Sequence, residues 1–271
     1  MHTRGYTQRI LAAIAMLSAL VAGAGAPAQA GLLGIGFSDN KLYDISTVNG
    51  APTNARFVLS KVNMIAITST GTIYGASQGF PNDVPPGGSL YTIIESSGFP
   101  THVATLDKFI ITEGDIAIDP TTDILYAVDG PGELFTINKT TGMGATVGNV
   151  GTNLDLSAMA FDSGGNLYIV DSFGPTLLKV NKANAAIISS VSLGSVNQEI
   201  GGLAFDPTDG KLYLAAGTTS NLYRVNPTTG SSLELGPITA PGGIGGLAFT
   251  PIPTPTRAAT WGRLKSLYRR P

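Results

Sequence analysis

Carboxylates that flank short apolar segments are the residues best suited to chemistry in this sequence. Glu113, Asp155 and Glu199 each precede such a segment, and Asp129 and Asp171 each follow one. Calcium takes several oxygen ligands at once, so Glu113, Asp155 and Glu199 are candidate ligands for Ca²⁺, the one cofactor that the sequence suggests. The alternative is that these acids are polar loop residues, because Asp is common in turns.

No set of side chains is predicted to be catalytic. The sequence contains no Cys, which excludes thiolate chemistry and disulfide bonds. His102 is the single His beyond the N-terminal thirty residues, and the repeat pattern described below places it at the start of an outer strand, away from the acidic loops. A metal-dependent hydrolase of the lactonase kind stays open as an alternative, since the carboxylates could supply some of the ligands it needs.

Two further features are predicted to lie on the same face as the acidic loops. The segment Gln78–Gly88 interrupts the repeat pattern, and loops carry function disproportionately, so Phe80 and Asp83 within it are candidate contact residues. Lys61 occupies the position that Asp155 and Glu199 hold in later repeats, and it completes the set of ligand-face candidates. The alternative for Gln78–Gly88 is an insertion that the surface tolerates.

Internal repetition determines where all these residues lie. An apolar segment centred on alanine recurs with the alanines at positions 66, 117, 160, 204 and 248, so the intervals are 51, 43, 44 and 44 residues. A period of 40–45 residues with about four strands in each unit is typical of a β-propeller. The insertion Gln78–Gly88 accounts for the long first interval.

Each repeat predicts four strands. The alanine-centred segment is the inner strand, a turn such as Asp206-Pro-Thr-Asp-Gly follows, and a Leu-Tyr segment forms the second strand. In one repeat the third and fourth strands are predicted at Leu134–Ile137 and Ala145–Val150. The tyrosines recur at the same position of each repeat, which predicts packing between neighbouring blades.

The two ends of the repeat region each hold part of one further unit. Lys41–Ile45 and Arg56–Leu59 match third and fourth strands, whereas Ile244–Phe249 is an inner strand with nothing after it. A blade shared between the two ends would close the ring and remove exposed sheet edges. We therefore predict an all-β propeller of five four-stranded blades over residues 31–251.

The Ala-Phe-Asp-Pro and Leu-Tyr elements resemble those of exported bacterial propeller-repeat proteins, a broad group that includes NHL-like and YVTN-like repeats. The resemblance covers residues 31–251 and implies the fold. It does not imply a function, because one fold carries many functions.

Residues 1–30 are predicted to be a signal peptide. Arg4 and Arg9 precede the apolar run Ile10–Val21, and Ala28-Gln29-Ala30 fits the rule for cleavage before Gly31. The run is short for a membrane span, and no later segment is long enough, so we expect a periplasmic, extracellular or cell-surface protein.

The C-terminal residues 252–271 read as a Pro-rich linker and a basic tail. They resemble part of the PEP-CTERM sorting tail, with Pro253-Thr254-Pro255 in place of Pro-Glu-Pro and Arg269-Arg270 in place of the terminal Arg cluster. The apolar span of such tails is missing, and Arg263 stands within its place. The alternative is a disordered basic tail.

Charge excludes one class of partner. Seven of the 16 basic residues and none of the 18 acidic ones lie in the two terminal segments, which leaves an acidic middle. Nucleic acid would require a basic surface. We predict a monomeric binding module for a protein, a glycan or a small ligand, with a structural envelope or matrix protein as a further alternative to the hydrolase.

Overall fold

Short antiparallel strands form the folded part of the chain, because runs of four to seven β-forming residues alternate with turns rich in Gly, Asn and Thr. The computed structural model describes residues 30–58, 61–78, 88–108, 114–152, 154, 156–194, 196, 199–216 and 220–252. Within them Ala30–Pro251 form one compact unit. No helix among these described residues has the length and apolarity to cross a bilayer.

In the described residues, twenty strands group into five antiparallel sheets of four. We call these sheets blades 1 to 5 and give the strands of each from the innermost to the outermost. Blade 1 comprises β20 (Ile244–Phe249), β1 (Leu32–Gly36), β2 (Lys41–Ile45) and β3 (Pro52–Phe57). Blade 2 comprises β4 (Met64–Ile67), β5 (Ile73–Ala76), β6 (Ser89–Ile93) and β7 (Pro100–Thr105). Blade 3 comprises β8 (Asp115–Ile118), β9 (Leu125–Val128), β10 (Glu133–Ile137) and β11 (Gly144–Asn149). Blade 4 comprises β12 (Ala158–Phe161), β13 (Leu167–Asp171), β14 (Thr176–Val180) and β15 (Ile187–Ser192). Blade 5 comprises β16 (Ile200–Asp206), β17 (Lys211–Ala216), β18 (Asn221–Val225) and β19 (Ser232–Pro237).

The blades form a closed ring. The inner strands contact one another in the order β20, β4, β8, β12, β16 and back to β20. Blade 1 joins the two ends of the repeat region, since β1 pairs with β20 and places Leu32 opposite Phe249 and Leu33 opposite Ala248. The predicted fold is confirmed: five four-stranded blades, one of them shared between the ends.

The bounds of one predicted strand were wrong. The outermost strand of blade 1 runs over Pro52–Phe57, so the predicted segment Arg56–Leu59 overlaps only its end. Pro52 begins this strand, and an outermost strand accepts proline because the missing N–H faces no partner.

The core consists of five separate layers, each between two neighbouring blades. The central alanines lie in these layers and face the next blade, as Ala117 of blade 3 does toward Met159 of blade 4. The predicted inter-blade role of the tyrosines is confirmed in two layers. Tyr126 packs on Phe161, and Tyr213 packs on Phe249, with ring centroids 5.2 Å apart in both pairs. Each layer is therefore complete only when both of its blades are in place.

The outermost strands carry features that discourage pairing with other chains. The register shifts in each of the five pairings between a third and a fourth strand, which twists every exposed edge. A turn from the next blade also packs on the end of each outermost strand. In four blades its contact residue is a glycine with φ between +71° and +75°, and in blade 4 it is Ala185 with φ +62°.

Replacing Gly230 with alanine is expected to destabilise the ring by at least about 2 kcal/mol. A methyl group there would lie 2.3 Å from the carbonyl oxygen of Ser192 in blade 4, and φ is +71°. The left-handed conformation alone costs a non-glycine residue about 1–2 kcal/mol. Gly210→Ala is the matched control, because its φ is +68° and nothing lies within 4 Å of the added carbon. Urea unfolding of both variants measures the difference, and equal losses would contradict the packing role of Gly230.

Candidate functional site

A cavity of about 310 Å³ lies where the N-terminal ends of the inner strands meet, and we call it the axial cavity. All five blades contribute to its wall: Phe37 and Gly242–Gly245 from blade 1, Asn63 and Gln78 from blade 2, Gly114 from blade 3, Leu156 from blade 4, and Glu199–Gly201 and Ser220 from blade 5. These residues come from segments that precede inner strands and from loops between second and third strands. The predicted ligand face is therefore the one that holds this cavity.

Glycines occupy the positions beside the axial cavity where neighbouring blades come closest to one another. A β-carbon on Gly201 would lie 1.9 Å from the carbonyl oxygen of Ile244, and one on Gly245 would lie 2.5 Å from that of Asn63. These distances exclude a side chain at either position. The glycines therefore let the backbones of neighbouring blades approach closely beside the cavity.

Two buried polar atoms on the wall lack hydrogen-bond partners among the described residues. They are Oδ1 of Asn63, an acceptor, and Nε2 of Gln78, a donor. Asn63 lies just before β4, where its backbone N–H donates to the carbonyl oxygen of Ala76 and fixes the residue in place. An unsatisfied buried polar group costs about 1–3 kcal/mol, so each of these atoms lowers the stability of the wall.

Hydrogen bonds fix the loop residues of blades 1 and 5 that line the cavity. The Phe37 N–H donates to the carbonyl oxygen of Gly243 (2.9 Å), and the Ile244 N–H donates to Oγ of Ser220 (2.9 Å). Phe37 is 41% exposed, so its ring offers an apolar surface at the rim. Glu199 is exposed just before β16 and carries the only charged side chain among the described lining residues.

The structure brings one of the predicted candidates to the cavity wall and leaves several untested. Glu199 lines the cavity, and Lys61 is exposed in the segment before β4. Phe80, Asp83, Glu113 and Asp155 lie outside the described residues. Among all described residues of the chain, no three His, Asp or Glu side chains form a group able to hold a metal ion. The calcium site over Glu113, Asp155 and Glu199 stays a prediction.

Asp129 and Asp171 lie in loops of the predicted face, but their carboxylates take part in turns. Oδ1 of Asp129 accepts a hydrogen bond from the Glu133 N–H (2.6 Å), and Oδ1 of Asp171 accepts one from the Phe173 N–H (2.9 Å). Burial raises the pKa of Asp129, although the Glu133 hydrogen bond opposes the rise. In these turns the two carboxylates stabilise the loops that surround the cavity.

Asp115 links two inner strands beside the cavity. It follows the lining residue Gly114 and is 1% exposed. The Met159 N–H of blade 4 donates to its Oδ2 (2.9 Å), and the Ile116 N–H donates to its Oδ1 (2.8 Å). Complete burial raises its pKa well above the ordinary value, and the two N–H groups offset only part of that rise.

This shift predicts that the protein is more stable at pH 5 than at pH 8, relative to an Asp115→Asn variant. Folded Asp115 keeps its proton to a higher pH than an unfolded Asp, whose pKa is about 3.9. Stability therefore falls as pH rises from that value through the folded pKa. Urea midpoints of both proteins at the two pH values measure the effect. An identical pH dependence in wild type and variant would show that Asp115 ionises normally.

One sequence pattern has the spacing of a nucleophile elbow but lacks its structural context. Gly75-Ala-Ser-Gln-Gly79 fits Gly-x-Ser-x-Gly, which in hydrolases is a turn from a strand to a helix. Here Ser77 follows β5, and its Oγ accepts a hydrogen bond from the Ser89 N–H at the start of β6 (2.8 Å). His102 lies on the outermost strand β7 of the same blade, against Tyr91. The structure does not present Ser77 as a nucleophile.

Sequence reasoning missed Phe37, Asn63, Gln78 and Ser220. Gln78 was noted only as the first residue of the insertion, and Asn63 stands two positions after the candidate Lys61. The glycine doublets Gly201-Gly202 and Gly245-Gly246, at equivalent positions of two repeats, were the available signal that backbones meet there.

Five blades around an axial cavity define the chain as a five-bladed β-propeller. Residues 114–251, 138 of the 271, match the family described as "Repeat of unknown function (DUF6923)", and the chain belongs to that family. No curated protein matches the sequence.

Two solved structures are similar in fold. A chain of the nidogen/laminin complex is 14% identical with a TM-score of 0.53, and the match covers 82% of this chain and 98% of that one. A protein of unknown function from Bacteroides caccae is 14% identical with a TM-score of 0.50, and the match covers 82% and 99%. At this identity the similarity shows the fold alone.

Proposed function

We propose that this chain is an exported binding module that holds a polar group of a protein, a glycan or a small molecule in the axial cavity. The observation that carries the proposal is the cavity wall. It combines residues of all five blades with the exposed carboxylate of Glu199 and the exposed ring of Phe37. Pockets that bind ligands are concave and combine apolar surface with a few placed polar groups, as this cavity does.

The structural neighbours are compatible with such a role. One of them was solved as a nidogen/laminin complex, so a propeller of similar fold occurs in an assembly of proteins. Two exposed aromatic residues, Phe37 and Phe173, lie in loops on the cavity side of this chain and would add contact area around a group inserted in the cavity.

Export is a separate part of the proposal. Cleavage after Ala30 would leave Gly31 at the start of the mature chain, directly before β1. Expression of the full-length gene product in a bacterial host, followed by intact mass measurement of the periplasmic and secreted fractions, tests this. A mass that includes residues 1–30 in those fractions would contradict cleavage.

Binding is tested with the full chain on a printed array of glycans, peptides and extracellular matrix proteins. We expect a defined set of positive spots that disappears in Glu199→Trp, because an indole at this exposed position fills the mouth of the cavity. Glu95→Trp is the matched control, since Glu95 is an exposed acid in the turn between β6 and β7. Signals that Glu199→Trp leaves unchanged, or no signal at all, would contradict the proposed function.

A further inference from the structure

A groove of about 200 Å³ lies between blades 4 and 5, and we call it the rim groove. It runs beside the outermost strand of blade 4, where the turn between β18 and β19 approaches that strand. Its wall comprises Tyr168, Leu177, Lys179, Ser189 and Val191 of blade 4 and Pro227 and Thr228 of blade 5. We propose that the rim groove binds a carboxylate attached to a compact apolar group. This site shares no residue with the axial cavity, so it does not depend on the proposed function.

The rim groove lies at a position that a lysine occupies in two other contacts between blades. The turns after β10, β14 and β18 begin with an asparagine, and the next residue is Lys139, Lys182 and Pro227 respectively. Lys139 lies over the ring of Tyr74 in blade 2, 5.6 Å from its centroid, and Lys182 pairs with Asp119 in blade 3. Pro227 has no long side chain that could cover blade 4 in this way, which leaves space beside Tyr168.

Lys179 supplies the positive charge of the rim groove. It extends from β14, and its Nζ lies 6.0 Å from the centroid of the Tyr168 ring. The lysines of the two other contacts each have a carboxylate partner at 2.5 Å. Lys179, in contrast, forms no ion pair within the described part of the chain. Its ammonium group offers three hydrogen-bond donors, so it can bind an anion.

Asp162, the acid of blade 4 that corresponds in sequence to Asp119, is held within its own turn. Its Oδ1 accepts hydrogen bonds from the N–H groups of Gly164 and Asn166, both at 2.9 Å. Its Oδ2 accepts one from Nδ2 of Asn166 at 2.7 Å and one from the Tyr168 hydroxyl at 3.5 Å. The carboxylate of a ligand can therefore take the partner position beside Lys179 that Asp119 takes beside Lys182.

The remaining wall of the rim groove determines what the carboxylate is attached to. Leu177, Val191 and Pro227 are apolar, whereas Ser189 and Thr228 carry hydroxyls that can donate to oxygen atoms. Inorganic phosphate carries more than one charge and several acceptor oxygens, and an apolar wall would leave most of them without donors. The volume is below the range of about 300–1,000 Å³ for drug-sized ligands, so only a small group fits.

Amide NMR spectra of the ¹⁵N-labelled full chain test the proposal. Isobutyrate and benzoate are the carboxylate probes, isobutyramide and benzamide are their neutral counterparts, and inorganic phosphate is the anion without an apolar group. Each is titrated to about 100 mM at constant ionic strength, because one partly exposed ion pair is weak and salt screens it. We expect the carboxylates to shift the amide resonances of Lys179, Ser189 and Thr228 at lower concentrations than the amides or phosphate do.

A first pair of variants tests the cation. Lys179→Met keeps the apolar stem of the side chain and removes its charge, so it should weaken carboxylate binding at least about 10-fold. Lys211→Met is the matched control, because Lys211 lies on β17 and is not part of the wall of the rim groove. It should bind as the wild type does.

A second pair of variants supplies the carboxylate from the chain itself. Ser189 lies directly opposite Lys179 in the register of β14 and β15, so Ser189→Glu should neutralise Lys179 and abolish binding. Ser190→Glu adds the same charge on the opposite face of β15 and should bind within about 2-fold of the wild type. Urea midpoints close to that of the wild type would show that all four variants stay folded.

An additional probe identifies the source of the carboxylate. N-acetylglutamic acid α-N-methylamide presents a glutamate side chain as a protein does. Tighter binding of this probe than of isobutyrate would indicate an acidic side chain of a partner protein, and the reverse order would indicate a free acid. Either order supports a carboxylate site.

Several results would overturn the proposal. Equal shifts from the carboxylates and their neutral amides would show that charge is not recognised, and stronger shifts from phosphate would exclude the apolar requirement. Binding that Lys179→Met leaves unchanged would place the carboxylate elsewhere. The absence of any shift at Lys179, Ser189 and Thr228 would show that the rim groove is not a ligand site.

Discussion

Ending the chain after Gly243 is expected to abolish the folded propeller. This truncation removes β20, whose side chains Ile244, Leu247 and Ala248 are almost fully buried. They belong to the two core layers on either side of blade 1, so both layers lose their inner part. Each buried Leu or Ile contributes about 1.5–3 kcal/mol, and the total stability of a domain is only about 5–15 kcal/mol. The truncation also leaves one edge of β1 without its pairing partner.

Differential scanning calorimetry and near-ultraviolet circular dichroism measure this effect. The truncated chain should show no cooperative transition and no aromatic signal from fixed packing. A chain that ends after Ile252 keeps β20 and serves as the matched control, and it should melt within a few degrees of the full-length protein. A cooperative transition in the shorter chain would show that four blades fold without closure.

The second large effect is expected at the ion pair between Lys182 and Asp119, which joins blade 4 to blade 3. The two side chains are 2.5 Å apart, and that of Asp119 is fully buried. Burial alone would raise the pKa of Asp119, but the hydrogen bonds from Lys182 and Thr121 outweigh it and lower the pKa below its ordinary value. Removing Lys182 leaves a buried carboxylate without its cation, which is costly.

A double-mutant cycle with Lys182→Met and Asp119→Ala measures this coupling. We expect each single substitution to cost about 2–4 kcal/mol and the pair to be coupled by about 2 kcal/mol. Because the folded pKa of Asp119 is lowered, its contribution is present above about pH 4 and is lost as the pH falls through the folded value.

Lys139 and Asp123 form the control pair for this cycle. Their atoms are also 2.5 Å apart, but Asp123 is 60% exposed. Exposed pairs contribute little, so the same cycle there should give a coupling below about 0.5 kcal/mol. Equal couplings at the two sites would contradict the view that burial determines the strength of the blade 3–blade 4 contact.

The fold could be predicted because the segments that form its strands recur at regular intervals in the sequence. Alanine-centred segments recur every 43 or 44 residues beyond the first interval, and Leu-Tyr segments follow them, so the number and order of strands follow from counting. The shared blade was predictable for the same reason, since Ile244–Phe249 lacks the second strand that β1 supplies. Strand ends were less predictable, as Pro52 shows, because the tolerance of an outermost strand for proline depends on the neighbours of that strand.

The sequence could predict the face of the propeller that holds the site, but not the residues that form it. The direction of the repeat places Glu199 and the loop residues Asp129 and Asp171 on one side, but their composition does not show which carboxylates already have partners. Asp129 and Asp171 accept hydrogen bonds from their own turns, whereas Oδ1 of Asn63 has no hydrogen-bond partner in the described part of the chain. Which polar side chains already have hydrogen-bond partners depends on packing in three dimensions, and the pattern of a single sequence does not show this.

A single engineered disulfide tests the closure of the ring most directly. Gly31 and Thr250 lie opposite each other at the ends of β1 and β20, and a β-carbon on Gly31 would lie 3.4 Å from Oγ1 of Thr250. Since the protein has no cysteine, the double variant Gly31→Cys and Thr250→Cys can form only one intramolecular bridge. The closed ring predicts that this bridge forms quantitatively within a monomer under mild oxidation and raises stability by roughly 4–5 kcal/mol over the reduced variant. A variant that stays reduced, or that links only separate molecules, would contradict the pairing of the two ends and the five-bladed ring built on it.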